Sequence, residues 1–302
     1  MSLTPAATTA YLPIKDFGLI GDLHTAALVS KNGSIDWCCW PDFDSPAVFC
    51  KLLDAKLGGS FAISPHANFV SSQSYIDGTN VLQTKFETDS GTIRLNDFMP
   101  VGRLLGNYKE RPPLTRRAIS RLIEGVSGEV EIEINFRPTF DYARAKTEVE
   151  VFASGGVARA GNEAVVLYCP FELRATADGR LHCTVKIQQG DRVWLHLSYR
   201  GQSTIDLHDL SPAAHEAELE QAIAHWRESG KQRERGYTLS LPWGLMSADR
   251  GHMDHVKRMS GGPSPLNPPL IMPYGYCMGG QTHNRILITG VIPGIRKYTY
   301  KH

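Results

Sequence analysis

Residues 11–59 read YLPIKDFGLIGDLHTAALVSKNGSIDWCCWPDFDSPAVFCKLLDAKLGG, and the pair Asn32-Gly33 at the middle of this stretch decides the fold. It joins an apolar run over 26–31 to a second run over 34–40. Asn-Gly between two strand-like runs is the strongest short-range hairpin signal, because both central residues of a type I′ turn need positive φ. The stretch is therefore read as a buried β-hairpin. Pro41 has no N–H to give a ladder and ends the second strand, so Asp42-Phe43-Asp44-Ser45-Pro46 becomes a loop bounded by two prolines. Two carboxylates, a phenyl ring and a serine held at the end of a rigid hairpin suit a polar ligand. They also suit a helix entry, with Ser45 as N-cap and Pro46 as the first helical residue leading into 47–53. The two readings are compatible. Trp37 shares the face of Ile35 and is expected in the core, while Trp40 falls on the opposite face. Trp40, Phe43, Asp44 and Ser45, at the end of the hairpin, form the candidate ligand-proximal surface.

Working outward, the chain from Gly58 keeps repeating short strands and turns. Residues 81–88 put Leu82, Thr84 and Phe86 on one face, and Asp89-Ser90-Gly91 returns the chain through 92–99 as a second hairpin. The cleanest alternation is 129–136: Val130, Ile132, Ile134 and Phe136 face in, Glu129, Glu131, Glu133 and Asn135 face out. Strict period two means one buried and one wetted face, as in an antiparallel sheet. The acidic row is read as a solvated face. Further strands are expected at 117–124, 164–168, 181–187 and 193–199, with an Asp178-Gly179 turn before the third. Many short strands at this spacing indicate a mainly β chain, a large antiparallel β-sandwich. The period changes after Leu210, where Ser211 as N-cap and Pro212 at the first helical position open a helix over 213–228. Leu219, Ala222, Ile223 and Trp226 recur at helical spacing and must pack on something. The charged run 231–235 reads as a solvated linker.

Composition narrows the function. A net charge of +1 and a pI near 7.7 provide no field for nucleic acid or anionic lipid. No run approaches the length of a membrane span, and residues 1–10 carry no basic and apolar leader. The six cysteines, Cys38, Cys39, Cys50, Cys169, Cys183 and Cys277, show no C-x-x-C spacing and read as free buried thiols of a cytoplasmic chain. Asn32-Gly33-Ser34 fits a glycosylation acceptor, but without an export signal it is only the turn. His252 and His255 lack a third ligand nearby, so no metal is expected. No phosphate-binding glycine loop occurs, Gly58-Gly59 and Gly155-Gly156 reading as turns, and no G-x-S-x-G elbow is found. No cofactor is expected.

The strings PIKDFGLIGDLHTAALVSKNGSIDWCCWPDFDSPAVFCKLLD, TNVLQTKFETDSGTIRLNDFMP and INFRPTFDY, in that order, resemble the N-terminal, trehalase-like β-domain of glycoside hydrolase family 15, the glucoamylase and trehalase family, over residues 11–226. The resemblance implies a β-sandwich standing before an (α/α)6 barrel that carries the catalytic glutamates, with an α-glucoside, maltodextrin or trehalose, as substrate. Trp226-Arg227 is similar to a pair shortly before the barrel's first helix, and Asp254-His255-Val256-Lys257-Arg258 to the start of that helix. Beyond Met259 the similarity stops: residues 260–302 hold six prolines and no Asp or Glu, which forbids the long helices of a barrel. The expected organisation is a flexible N-terminus over 1–10, the trehalase-like domain over 11–210, a linker helix and remnant of the barrel start over 211–258, and an irregular, disordered tail over 259–302. A displaced reading frame or splice junction near Met259 is the expected cause, which the transcript would test.

Inverting hydrolysis of a glucosidic bond needs one carboxylic acid on the leaving oxygen and a carboxylate activating water on the opposite face, roughly 6.5–9.5 Å apart. The resemblance places both on the barrel, so no residue here is assigned a catalytic role. Asp42 with Asp44 reads as loop capping, and Asp97 with Asp141 is an equally poor pair because Asp97 sits where a strand ends. Three readings stand: the accessory domain of a family 15 hydrolase, a stand-alone carbohydrate-binding or interaction module, and a non-functional product poorly folded after Arg258.

Overall fold

A computed structural model describes residues 11–101, 117–201 and 211–234, with three short strands nearer the C-terminus. A 3-10 turn (Ile14–Asp16) leads into β1 (Phe17–Gly21), β2 (Ala26–Ser30) and β3 (Ser34–Cys39). The hairpin between β2 and β3 forms at the Asn-Gly pair, but with different turn chemistry. The Gly33 N–H bonds Ser30 O at 2.8 Å and, of the two, Gly33 alone has positive φ, at 75°. Lys31 and Asn32 thus occupy an ordinary turn and Gly33 its left-handed closing position, the three-residue hairpin. A Cβ on Gly33 would stand 2.2 Å from Ile63 O, so the tight approach of the next strand requires glycine as well.

The expected helix over 47–53 is not there. Residues 47–49 form β4 (Ala47–Phe49), buried throughout and paired with Cys38 and Cys39 of β3. A β-branched and an aromatic side chain that can be buried on a sheet outweigh the Ser-Pro entry signal. The tryptophans also exchange places: Trp40 is fully buried, while Trp37 is half-buried against Cys39, Cys50 and Ala143. The cause is a bulge. Leu28 pairs with Trp37 and Val29 with Ile35, leaving Asp36 unpaired between them, and one extra residue reverses the face of everything after it. Ile35, Cys38 and Trp40 therefore share the core.

Two layers follow, joined by one strand. β5 (Ser60–Pro65), β6 (Val70–Tyr75), β7 (Leu82–Thr88) and β8 (Gly91–Phe98) precede β9 (Ala118–Arg137), a twenty-residue strand that merges the two expected at 117–124 and 129–136. Then come β10 (Glu148–Phe152), β11 (Gly155–Ala160), β12 (Glu163–Tyr168), β13 (Arg174–Ala175), β14 (Leu181–Gln188) and β15 (Arg192–Arg200), all pairings antiparallel. The later half of β9 pairs with β5 and β14, the earlier half with β8 and β15. Where they meet, a Cβ on Gly125 would lie 1.8 Å from Gln188 O, and the β8 register slips between Thr92 and Ile93, a bulge that lets the strand bend between layers. The alternation over 129–136 is as expected, with Val130, Ile132, Ile134 and Phe136 in the largest apolar cluster. Of its outer glutamates, Glu129 meets Lys186 and Gln188, and Glu133 meets His66. Gly155 and Gly156 open β11 rather than making a turn, whereas Gly179 (φ 78°) does close the turn before β14.

Arg121 of β9 fastens the layers together. Fully buried, it donates Nε and Nη2 to the two oxygens of Asp97, Nη1 to Phe61 O and Nη2 to Gly33 O, with its guanidinium 4.7 Å from the Phe61 ring centre. Asp97 is thus committed to an ion pair, and Asp141 is on the surface with Arg144.

α1 (Pro212–Glu234) begins as the Ser211-Pro212 signal implies, the Ala214 N–H reaching Ser211 Oγ at 3.3 Å. Leu219, Ala222, Ile223 and Trp226 pack on Val81, Phe98, Val101, Leu122 and Trp194. The helix runs four residues into the charged stretch expected to be a linker, whose Lys, Gln, Arg and Glu are good helix formers. Three more strands, β16 (Leu270–Ile271), β17 (Tyr276–Met278) and β18 (Ile288–Gly290), pair antiparallel in a sheet of their own. The N-terminus over 1–10 expected to be flexible, the segment 254–258 expected to begin the barrel and most of the tail expected to be disordered lie outside the described residues. Among those described, no helix is long and apolar enough to cross a membrane.

Candidate functional site

The chain turns from β1 to β2 through Asp22-Leu23-His24-Thr25, and the Asp42–Ser45 loop after β3 lies against that turn. The carboxylate of Asp22 builds the turn: Oδ1 accepts the N–H groups of His24 at 2.9 Å and Thr25 at 2.8 Å, an Asx turn made by a buried acid. Burial pushes the Asp22 carboxyl up, partly offset by those two N–H groups. Leu23 is held at φ 74°, a left-handed conformation that costs a non-glycine residue about 1–2 kcal/mol. Backbone strain of this kind gathers at functional sites.

The Asp42–Ser45 loop is fixed to this turn by the Phe43 N–H, which donates to His24 O at 3.0 Å. Ser45 closes the loop on itself, its Oγ accepting the Asp42 N–H at 3.0 Å and its own N–H reaching Asp42 O at 3.1 Å. Asp42 is then aimed at two bases, 3.9 Å from His24 Nδ1 and 3.6 Å from Arg117 Nη2. Arg117, just before β9 and at φ 43°, has its carbonyl bonded by the Tyr199 N–H at 3.0 Å. Tyr199 donates its hydroxyl to Glu163 Oε1 at 2.7 Å and lies 6.1 Å from the Trp40 ring. Burial, then the Glu163 bond, pushes its phenol up.

Four buried polar atoms in this constellation make no hydrogen bond: Asp22 Oδ2, His24 Nε2, Trp40 Nε1 and Arg117 Nε. Such a group costs about 1–3 kcal/mol unmet, and each normally has a partner. The mixture of acceptor and donors suits a polyhydroxylated ligand, whose hydroxyls do both.

Of the residues the sequence singles out, Phe43 and Ser45 are half-buried in this loop and Asp44 is exposed. Trp40 is in the core and offers no ring face to solvent, although its indole N–H belongs to the unmet set. Asp22, His24, Arg117 and Tyr199 carry no local sign of a site, since Asp22 reads only as a turn former and the others come from separate strand ends.

The family described as trehalase-like, N-terminal matches residues 7–226. A trehalase of Thermoplasma volcanium is 35% identical over 192 residues, 63% of this chain and 30% of the relative. One from Thermoplasma acidophilum is 37% identical over 155 residues, 50% and 25%. A Mycolicibacterium smegmatis trehalase is 28% identical over 211 residues, 65% and 31%. The matches thus span between a quarter and a third of the length of these relatives.

Proposed function

The chain belongs to the trehalase-like N-terminal family, and from that premise we propose that it is the accessory β-domain of an α-glucoside hydrolase of glycoside hydrolase family 15, the glucoamylase and trehalase group. An (α/α)6 barrel brings the proton donor and the water-activating carboxylate, and this domain walls one side of the sugar site. The observation that carries the reading is the set of buried polar atoms without partners at Asp22, His24, Trp40 and Arg117. A glucoside hydroxyl reaching these atoms would find an acceptor and donors among them, near the Asp42 carboxylate that faces His24 and Arg117. The names of the matched relatives support trehalose as the first substrate to try, with maltodextrin second. The division follows: the domain over 11–210, the helix as linker to the barrel. Five buried free thiols support a reducing, cytoplasmic setting.

Two proteins test this. The 302-residue chain alone is expected to release no glucose from trehalose. A chimera in which residues 7–226 replace the matched segment of the Thermoplasma volcanium trehalase is expected to hydrolyse it. A folded chimera that stays inactive contradicts the proposal. So does glucose release by the chain alone that disappears in Asp42→Asn, which would locate the catalysis in the strands. Tight trehalose binding by the isolated chain would favour a stand-alone carbohydrate-binding module.

A further inference from the structure

A second group of polar side chains lies apart from the loop end, where α1 crosses β15. His196 is in the middle of β15, opposite Ser120 of β9 on one side and Tyr168 of β12 on the other. His215 and Glu218 stand three residues apart in the first turns of α1, a spacing that puts both on one face of the helix. The ligand-type atoms of His196, His215 and Glu218 all lie within 4.8 Å of one another. The site is dry: His196 is 5% and His215 4% exposed, and the Glu218 side chain 12%. The two imidazole rings are 5.2 Å apart, and the Trp194 indole stacks on His215 at 5.3 Å and 21°.

His215 Nδ1 is buried and makes no hydrogen bond; its nearest charged neighbour is Glu218 Oε2 at 3.6 Å. A buried ring nitrogen left without a hydrogen-bond partner is costly. A divalent cation resolves this, because it takes the lone pairs of two neutral imidazoles and one carboxylate oxygen together. Two histidines and a glutamate are a zinc set. The support around His196 is compatible: its Nδ1 is 3.0 Å from Ser120 Oγ, and with Nδ1–H donating to that oxygen its Nε2 keeps the lone pair a metal needs. Donor atoms around tetrahedral zinc stand roughly 3.4 Å apart, so the three side chains need to close by up to about 1.4 Å, within reach of side-chain torsions.

We propose that His196, His215 and Glu218 form a zinc site that pins the start of α1 to β15. The expectation of no metal drew on His252 and His255, which lie outside the described residues; the group found here is separated by nineteen positions between its first two members and has no sequence signature. Its burial assigns it to bracing rather than to chemistry on a substrate. Metal binding then contributes directly to folding and fixes where the helix leaves the sheet.

The test is metal content and metal-dependent melting of the untagged 302-residue chain. After dialysis against metal-free buffer, mass spectrometry should find about one zinc per chain, and removal by EDTA should lower Tm by several degrees, restored by added zinc. Glu218→Gln, which preserves volume, should weaken zinc binding at least about tenfold and abolish the Tm response, while a His252→Ala/His255→Ala double variant should bind as the parent does. Should Glu218→Gln fail to fold, cobalt in the unaltered chain decides: tetrahedral absorption bands with quenching of tryptophan fluorescence, the quenching reduced in Trp194→Phe. Substoichiometric zinc with no Tm response, or zinc bound equally by parent and Glu218→Gln, overturns the site; so does cobalt that gives neither bands nor quenching.

Discussion

Two arginines near the start of β9 stand four residues apart and illustrate opposite uses of the same chemistry. Arg121 is fully buried, and its guanidinium is met by both oxygens of Asp97 and two main-chain carbonyls. Arg117 is near the same layer edge, 3.6 Å from a part-exposed Asp42, with its Nε buried and unmet. Where every donor has an acceptor, a polar group serves the fold. Where several buried neighbours are left without partners, stability is given up, and on the proposed reading a ligand supplies what is missing.

The comparison breaks most easily at Arg121. Arg121→Met leaves the Asp97 carboxyl buried without its counter-charge and should cost about 3–5 kcal/mol, read as a lowered urea midpoint with unchanged slope. Arg117→Met should lower stability by no more than about 1 kcal/mol, since its partner is part-exposed and removing the unmet Nε works the other way. Equal losses at the two positions would erase the distinction.

Next in size is Gly33→Ala, which forces a side chain into left-handed backbone and onto Ile63 O; a loss of about 2 kcal/mol or more is expected by the same assay. Leu23→Gly sharpens the comparison from the other side. Relief of the positive φ should stabilise the chain by about 1 kcal/mol at most, while the chimera's KM for trehalose rises because the turn that holds His24 loosens. Gain of stability with unchanged KM would separate that strain from function.

The smallest effect is on the wetted face. The Lys186 ammonium, then Gln188, holds the Glu129 carboxyl below its ordinary range. A carboxyl lowered on folding stabilises the fold above its unfolded pKa, and that contribution is lost as pH falls through the lowered value. Acid unfolding of Lys186→Gln should therefore lose the part of the pH dependence in that window; an identical profile in the variant would remove the pair from the account.

The sequence carried the layers well where one face is wet and the other dry. Residues 129–136 alternate without interruption, and the stripe Leu219, Ala222, Ile223 and Trp226 packs as its spacing requires. Legibility failed where one residue changes parity. The bulge at Asp36 sends Trp40 inward and Trp37 outward, and no local pattern around Asp36 announces it. Strand pairing also overrode the helix entry at Ser45-Pro46, because β3 offers Ala47, Val48 and Phe49 a buried edge that the local signal cannot sense. The loop over 42–45 was legible as a loop from its prolines and acids. Its partners Asp22, His24, Arg117 and Tyr199 were not, since β pairing assembles them from three separate chain segments, and the His196, His215 and Glu218 group was hidden because it too joins distant segments.

The KM for trehalose of the chimera carrying Arg117→Met, measured against the unaltered chimera at equal folded concentration, bears most directly on the claim that unmet buried groups at the loop end await a sugar. A rise of about tenfold or more, equivalent to about 1.4 kcal/mol, with stability unchanged within about 1 kcal/mol, is the predicted result. An unchanged KM would contradict it.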